Sequence, residues 1–354
     1  MLSFSTKLAC SKLVNKLSIS KLQTIIDEKN ITSTNTVPSE PSNIVRIATT
    51  SVALKPYNNI EDFIEHIEYF VKEACSNNAD IVCFPQFTGV LPLSVLPVFD
   101  EIIHIIYSDK KVTREQDIIN ITEIFDIVGA PLFEFYYNLF YLLSSRYKIY
   151  IHAGTTIVPT KNGLFNTAFI FDPFGRCICE QNKINPSKIE DEFNLCSGNM
   201  LDVFQITYGT IVTIIGSDQY YYDCFKIGRN LGAKIVFVPC GPCFNMNNFK
   251  ALRGAPVFVE KNECFAVKSC LVGTAGGITF GDRSGIFGPF YACVDKDYIC
   301  ISENFSKDEV LIGDIDTSAL INMAEVYTSD KNTALYEKYY ERYKPQTFKE
   351  HSNV

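Results

Sequence analysis

The sequence predicts a layered α/β fold with buried sheets, and three observations carry that expectation. Apolar runs rich in β-branched residues alternate with segments of helical apolar spacing along most of the chain. Two strand signals meet at Pro173-Phe174-Gly175, a turn signal that reads as a hairpin. The 354 residues are 47% hydrophobic and 20% charged, a globular balance with enough core to fold without metal or disulfide staples.

Residues 1–43 stand apart as an N-terminal helical arm and linker. Up to Leu22 the only charges are Lys7, Lys12, Lys16 and Lys21. Leu13, Leu17 and Leu22, with Val14, Ile25 and Ile26, fit one face of a helix that packs on the body or on a partner subunit. The scarcity of acids and the Ser content also suit a transit peptide, against which the absence of Arg counts. A polar stretch from Asn30 to Asn43, with Pro38 and Pro41, reads as the linker.

The body follows as residues 44–330, with 331–354 as a C-terminal tail. Val45 to Leu54 is a β-branched strand, and Ile60, Phe63, Ile64, Ile67, Phe70, Val71 and Ala74 keep helical spacing. Asp80 to Phe84 is a short buried strand ending at Pro85. Val90 to Gly129 predicts short helices and a long connection, Ala130 to Arg146 a helix, and Ile149 to Val158 a strand. Thr167 to Asp172 and Arg176 to Lys183 form the hairpin. Strand, helix and strand recur at Val212–Gly216, Cys224–Leu231 and Lys234–Val238, and such alternation argues for buried sheets.

Charge and composition exclude several functions. A net charge of −8 and a pI near 5.2 argue against nucleic acid, whose binders carry basic patches. Thirteen cysteines, irregularly spaced with no secretory signal, read as reduced thiols in a cytoplasmic protein. No apolar run approaches the roughly 18 residues of a membrane span. With four histidines, two of them in the helix-like stretches at His66 and His104, a His-rich metal site is hard to build, and no cofactor is expected. Cys240 and Cys243 form a Cys-Gly-Pro-Cys pair that suits a redox or metal role or plain burial. The Gly-rich stretch Thr274–Gly288 lacks the Gly-Lys-Ser/Thr of a phosphate loop.

Four segments, in order, resemble the carbon–nitrogen hydrolase (nitrilase) superfamily across roughly residues 44–330. They are Asn78 to Phe87, with Pro85-Gln86 after the strand; Asn166 to Gly175 followed by Gln181-Asn182-Lys183; Ile214 to Asp223 with Gly232 to Pro239; and Glu260 to Gly273 with Gly281 to Pro289. The resemblance implies an α-β-β-α sandwich, usually paired into dimers or larger assemblies. The stretch Thr328–Glu337 resembles a segment that commonly crosses a subunit interface, and Tyr327, Tyr336, Tyr339, Tyr340 and Tyr343 cluster there, so a homo-oligomer is expected.

The family's reaction uses a Cys to attack an amide or nitrile carbon, a Glu to take its proton and a Lys to stabilise the developing charge. By resemblance Lys183 occupies the Lys position, Gln86 stands at the Glu position and Gly216 at the Cys position, with Asp218 matching the motif's Asp. Glu190 lies where a second, positioning carboxylate is often found, and it can pair with Lys183 now that position 86 carries no Glu. Tyr222 and Asp223 replace the usual Pro-Glu. An amide cannot take up a proton at neutral pH, and glycine has no side chain with which to attack. The expectation is therefore a pseudoenzyme with a ligand- or partner-binding role, its ligand a small carboxylate that balances Lys183 or an amide-like molecule. The alternative is an amidase or acyl-transfer enzyme with a relocated nucleophile, Ser217 or Cys240.

Overall fold

A computed structural model of the protein describes residues 3–31, 33, 35, 40–107, 115–243, 253–293, 298–320 and 338. The tyrosines expected at a subunit interface, and the 331–354 tail apart from Lys338, lie outside these residues. The site described below belongs to the compact unit Met1–Leu320.

Alternation of strand side chains builds the layers. In β1 (Ile44–Leu54), Val45 and Ile47 point into one apolar cluster, while Ala48, Val52 and Leu54 point into another. The first cluster is made almost wholly of strand residues, among them Ile81, Ile211, Ile235, Phe237, Phe265 and Ile315, and fills the space between two sheet faces. The second joins β1 to the helices α1 (Phe4–Lys16), α2 (Ile19–Glu28), α3 (Ile60–Ser76) and α5 (Glu115–Tyr147). A third, on the opposite outer face, packs Phe225 of α7 (Tyr222–Asn230) and Val259 of α8 (Ala255–Asn262) on strands β7 (Gly209–Thr213), β8 (Ile235–Cys240) and β9 (Phe265–Ala275). Helix, sheet, sheet, helix is thus the order of layers, the α-β-β-α sandwich.

The strands form one nearly closed sheet in the order β5-β4-β3-β2-β1-β9-β8-β7-β6, with a late strand, Glu309–Asp316, antiparallel to β1. The remaining strands on this path are β2 (Ile81–Cys83), β3 (Tyr150–Thr160), β4 (Gly163–Phe171), β5 (Cys177–Asn182), β6 (Val203–Ile206), β7 (Gly209–Thr213), β8 (Ile235–Cys240) and β9 (Phe265–Ala275). The expected hairpin is β4 and β5, closed by the Gly175 amide donating to the Asp172 carbonyl.

Three expectations need correction. The leucines of the arm belong to two helices, because Ser18 starts a new one by capping the Lys21 amide. Both helices pack on α5, burying Cys10, Leu13, Leu17, Leu22 and Ile26. The helix expected from Ala130 instead spans Glu115–Tyr147 and runs through Pro131, whose missing N–H ordinarily marks a boundary. The strand expected at Val212–Gly216 is β7, which ends at Thr213. Ile214 and Ile215 are buried like strand residues but lead into a 3-10 turn at Gly216–Tyr220. Among the described residues, no helix is long and apolar enough to cross a membrane.

Candidate functional site

Strand direction brings the candidate residues together. β2, β1, β9, β8 and β7 are mutually parallel in sequence of neighbours, and β5 is parallel to β2 because two antiparallel pairings separate it from β3. The carboxyl ends of β2, β5, β7 and β8 therefore face one side, and just beyond them come Gln86, Lys183, Gly216 and Gly241. Such ends are where α/β sheets place ligands.

Gln86, Lys183 and Glu190 are each about 3% exposed, so every polar atom they carry needs a partner in the protein. Glu190 sits on the short helix α6 (Lys188–Glu192), where it forms a capping box with Ser187. Its Oε2 accepts from Lys183 Nζ at 2.5 Å and from the Ser187 amide at 2.7 Å. Its Oε1 accepts from Gln86 Nε2 at 3.0 Å and Asn166 Nδ2 at 2.7 Å. Gln86 is completed by the Gly241 amide, which donates to its Oε1 at 3.1 Å. Asn166 Oδ1 has no partner among the described residues.

Gly216 lies against this cluster with φ of +54°, a left-handed conformation that disfavours side chains. A Cβ built there would press inside van der Waals contact of Gln86 Oε1 and stand 3.2 Å from Lys183 Nζ. The space for a side chain at position 216 is thus filled by the Gln86 amide. Asp218 holds the backbone beyond Lys183 by accepting from the Ile184 amide at 2.9 Å and the Asn185 amide at 2.8 Å. It positions the lysine's segment and makes no ion pair with it.

Burial alone would push the Glu190 carboxyl up, but the Lys183 ammonium and the Ser187 and Asn166 hydrogen bonds hold it below the ordinary carboxylate range. Asp218 goes the other way, burial raising its carboxyl despite three hydrogen bonds. The unbalanced cation that motivated a small carboxylate ligand is therefore absent: Glu190 neutralises Lys183 within the chain.

Neither alternative nucleophile joins the cluster. The Ser217 hydroxyl donates to the Asn185 carbonyl at 3.0 Å. Cys240 takes a hydrogen bond from Gln219 Nε2 at 3.1 Å and lies beside Cys270 and Asp282, with possible ligand atoms all within 4.8 Å. Among the described residues that grouping, and not Cys240 with Cys243, is the metal-like one. Its positive charge is already supplied by Lys268, whose Nζ donates to Asp282 Oδ1 at 2.9 Å in full burial.

Sequence reasoning missed Asn166 as a site residue, the Gly241 amide and the Lys268–Asp282 pair. The Ser187-Lys188-Ile189-Glu190 spacing is a capping-box signature, the one local signal that could have marked α6, and it went unread. The other contacts join distant segments and leave no local signal.

Comparison with known proteins agrees with this architecture. A doubly mutated amidase from Nesterenkonia sp. AN1, in complex with acrylamide, superposes with a TM-score of 0.59 at 16% identity, covering 86% of this chain and 100% of that one. A carbon-nitrogen hydrolase from Helicobacter pylori G27 gives 0.64 at 16% identity, covering 84% and 98%. In sequence, the probable hydrolase YhcX of Bacillus subtilis is 25% identical over 281 residues, 78% of this chain and 50% of its own length. The hydrolase in the agr operon of Staphylococcus aureus is 28% identical over 151 residues, 42% of this chain and 57% of its own length. The chain thus spans about half the length of these curated relatives. Residues 48–325 match the family model for carbon-nitrogen hydrolase, and the chain belongs to that family.

Proposed function

We propose that the protein keeps the carbon–nitrogen hydrolase fold without the hydrolysis and uses the site to hold a ligand or partner. The observation that carries this reading is the Gln86 amide lying in the space a side chain at Gly216 would need. Attack on an amide or nitrile carbon requires a nucleophile, a base to deprotonate it and a positive charge to receive the developing negative one. Lys183 supplies only the last, and it is already paired with Glu190. A single Glu-to-Gln mutant of the Nesterenkonia amidase shows covalent addition at its active site cysteine. The loss that weighs most here is therefore the side chain at Gly216. Of the two ligand classes considered, the internal ion pair favours the neutral, amide-like one over a carboxylate.

The relatives' names, hydrolase and amidase, favour the second reading, an amidase or acyl-transfer enzyme using Ser217 or Cys240. One experiment separates the two. Purified protein is assayed against simple nitriles, ω-amides and N-carbamoyl compounds, and labelled with thiol- and serine-directed probes. The expected result is no turnover and no stoichiometric pocket label. Turnover that disappears in a folded Lys183→Ala variant would overturn the proposal.

A homo-oligomer belongs to the same reading. Tyr221, Tyr222, Ile227 and Leu231 on or beside α7, and Val257 on α8, are exposed, and the two helices pack together through Tyr222 and Phe258. Exposed apolar surface of this kind suits a subunit contact. Light scattering at micromolar concentration should give a dimer or larger species.

A further inference from the structure

Glu190 also forms part of the wall of a cavity of about 150 Å³. The rest of the lining is almost wholly apolar, with Phe87, Leu91, Phe99, Ile103, Leu164 and Phe193 prominent. Its polar contributions besides Glu190 are Thr122 and Tyr107, the latter at the end of α4 (Phe99–Tyr107). Both Glu190 oxygens are committed to two donors each. The Tyr107 hydroxyl has no hydrogen-bond partner among the described residues.

These facts restrict what the cavity can take. An anion would face the Glu190 carboxylate, and among the described lining residues no cation meets it, since Lys183 is spent on that same carboxylate. A cation would find the carboxylate's lone pairs occupied and the Lys183 ammonium behind them. Either charge would also lose its hydration among apolar side chains. An apolar cavity of this volume accommodates a molecule of about benzene's size. The half-buried Tyr107 phenol then offers a polar hook on the cavity wall, and a phenol O–H seeks an acceptor.

We propose that this cavity binds a neutral, mainly apolar small molecule of about benzene's size, with one hydrogen-bond acceptor turned to the Tyr107 hydroxyl. The inference rests on the reading of a non-hydrolytic site only in expecting that the bound molecule is not consumed.

The test uses the full chain and four probes of similar size, read by calorimetry and ligand-observed NMR. Cyclopentanone carries an acceptor, methylcyclopentane carries none, and cyclopentylammonium and cyclobutanecarboxylate carry opposite charges. Cyclopentanone and methylcyclopentane should bind, and the charged probes should bind at least about tenfold more weakly, the factor that 1.4 kcal/mol represents. Tyr107→Phe should weaken cyclopentanone about three- to tenfold, the worth of one hydrogen bond, and leave methylcyclopentane unchanged. Leu164→Phe, which fills the cavity, should abolish both. Equal binding of the carboxylate, no binding of either neutral probe at millimolar concentration, or binding that survives Leu164→Phe would overturn the proposal. Should Leu164→Phe not fold, intermolecular NOEs from methylcyclopentane to the methyl groups of Leu91 and Ile103 decide: their presence supports the site, their absence overturns it. None of the probes contains an amide or nitrile, so their binding is independent of hydrolysis. Product formed from cyclobutanecarboxamide would refute the non-hydrolytic reading and leave the cavity assignment standing.

Discussion

Gln86 donates its amide to Glu190 across 3.0 Å, joining two buried side chains 104 residues apart in sequence. The amide suits this place because one end donates to a carboxylate while the other accepts from the Gly241 backbone. A carboxylate at position 86 would turn the donor into an acceptor facing another acceptor. One Lys183 would then serve two negative charges, and one carboxyl would be driven to keep its proton. Gln86→Glu is therefore expected to lower stability at neutral pH by about 1–3 kcal/mol, the range for a buried polar group left unsatisfied. The new pair's raised folded pKa fixes the sign. Its deficit should shrink as pH falls toward the ordinary carboxylate range near about 4.3 and grow as pH rises through the folded value. Urea unfolding of both proteins across that range measures it. A constant deficit at all pH values would exclude a shared proton.

At Gly216 two costs add. A side chain in the left-handed region costs about 1–2 kcal/mol, and forcing atoms into a filled space adds about 1–3 kcal/mol. Gly216→Cys alone should be destabilising by their sum, and Gln86→Ala should recover the packing part, so the two substitutions couple favourably. Gly216→Cys with Gln86→Glu is the pair that restores the family's residue types. In either double variant the introduced thiol stands near Lys183 Nζ, and a neighbouring ammonium lowers a thiol's pKa. Alkylation should therefore be faster than in the same variant carrying Lys183→Met. Equal rates would place the thiol away from the lysine and refute the assignment of Gly216.

The order of the motifs made the main site legible. Gln86 after a buried strand, Lys183 after a hairpin and Gly216 before an Asp each sit at a strand's carboxyl end, and parallel pairing then brings them together. The Glu190 helix carried a local signal, the Ser187–Glu190 capping-box spacing, that went unread. What the sequence hid was what those residues touch. The Gln86–Glu190 and Lys268–Asp282 bonds join separate elements, and neither residue type nor spacing announces them. The charge balance stayed open for the same reason. Counting Gln86 as one lost negative charge leaves Lys183 in need of a counter-charge, from Glu190, Asp218 or a bound anion, and Glu190 meets it directly. Boundaries failed where local chemistry misled: Pro131 inside α5, Ser18 as a helix start within a run of leucines, and Ile214–Ile215 buried beyond the end of β7.

The arm should matter for stability independently of the site. Leu13 and Leu22 are 2% and 1% exposed, and the arm is tied to the body by Lys29 with Glu68 at 2.6 Å and by Asp27 with Arg146. Leu22→Ala is expected to cost about 2–5 kcal/mol, the range for emptying a buried leucine site. A loss below about 0.5 kcal/mol, the level of an ordinary surface change, would mean the arm contributes little to the folded unit. Exposed Lys7 pairs with Glu123 at 3.7 Å, and Lys7→Ala should fall within that surface range.

The Lys183–Glu190 pair gives the sharpest test, because stability and its pH dependence must change together. Glu190 has a folded pKa below its ordinary value, so the pair's contribution is fully present above the ordinary carboxylate range. It is lost as pH falls through the folded value. Lys183→Met removes the cation and leaves a buried carboxylate with only neutral donors. Breaking a buried pair from one side costs about 3–5 kcal/mol. Without the ammonium, burial becomes the dominant influence and the Glu190 pKa should rise above its ordinary value, reversing the sign of its linkage. The deficit of Lys183→Met relative to wild type should therefore be largest at neutral pH and diminish on acidification, as Glu190 takes up a proton in the variant. Glu190→Gln in the same background removes the stranded charge and should recover most of the loss, since an amide still accepts from Asn166. Urea unfolding of wild type, Lys183→Met and the double variant at about pH 5 and 7, values chosen either side of a raised carboxylate, provides the measurement. If the single variant's deficit is the same at both pH values and the second substitution restores nothing, the buried pair is not what holds this end of the sheet together.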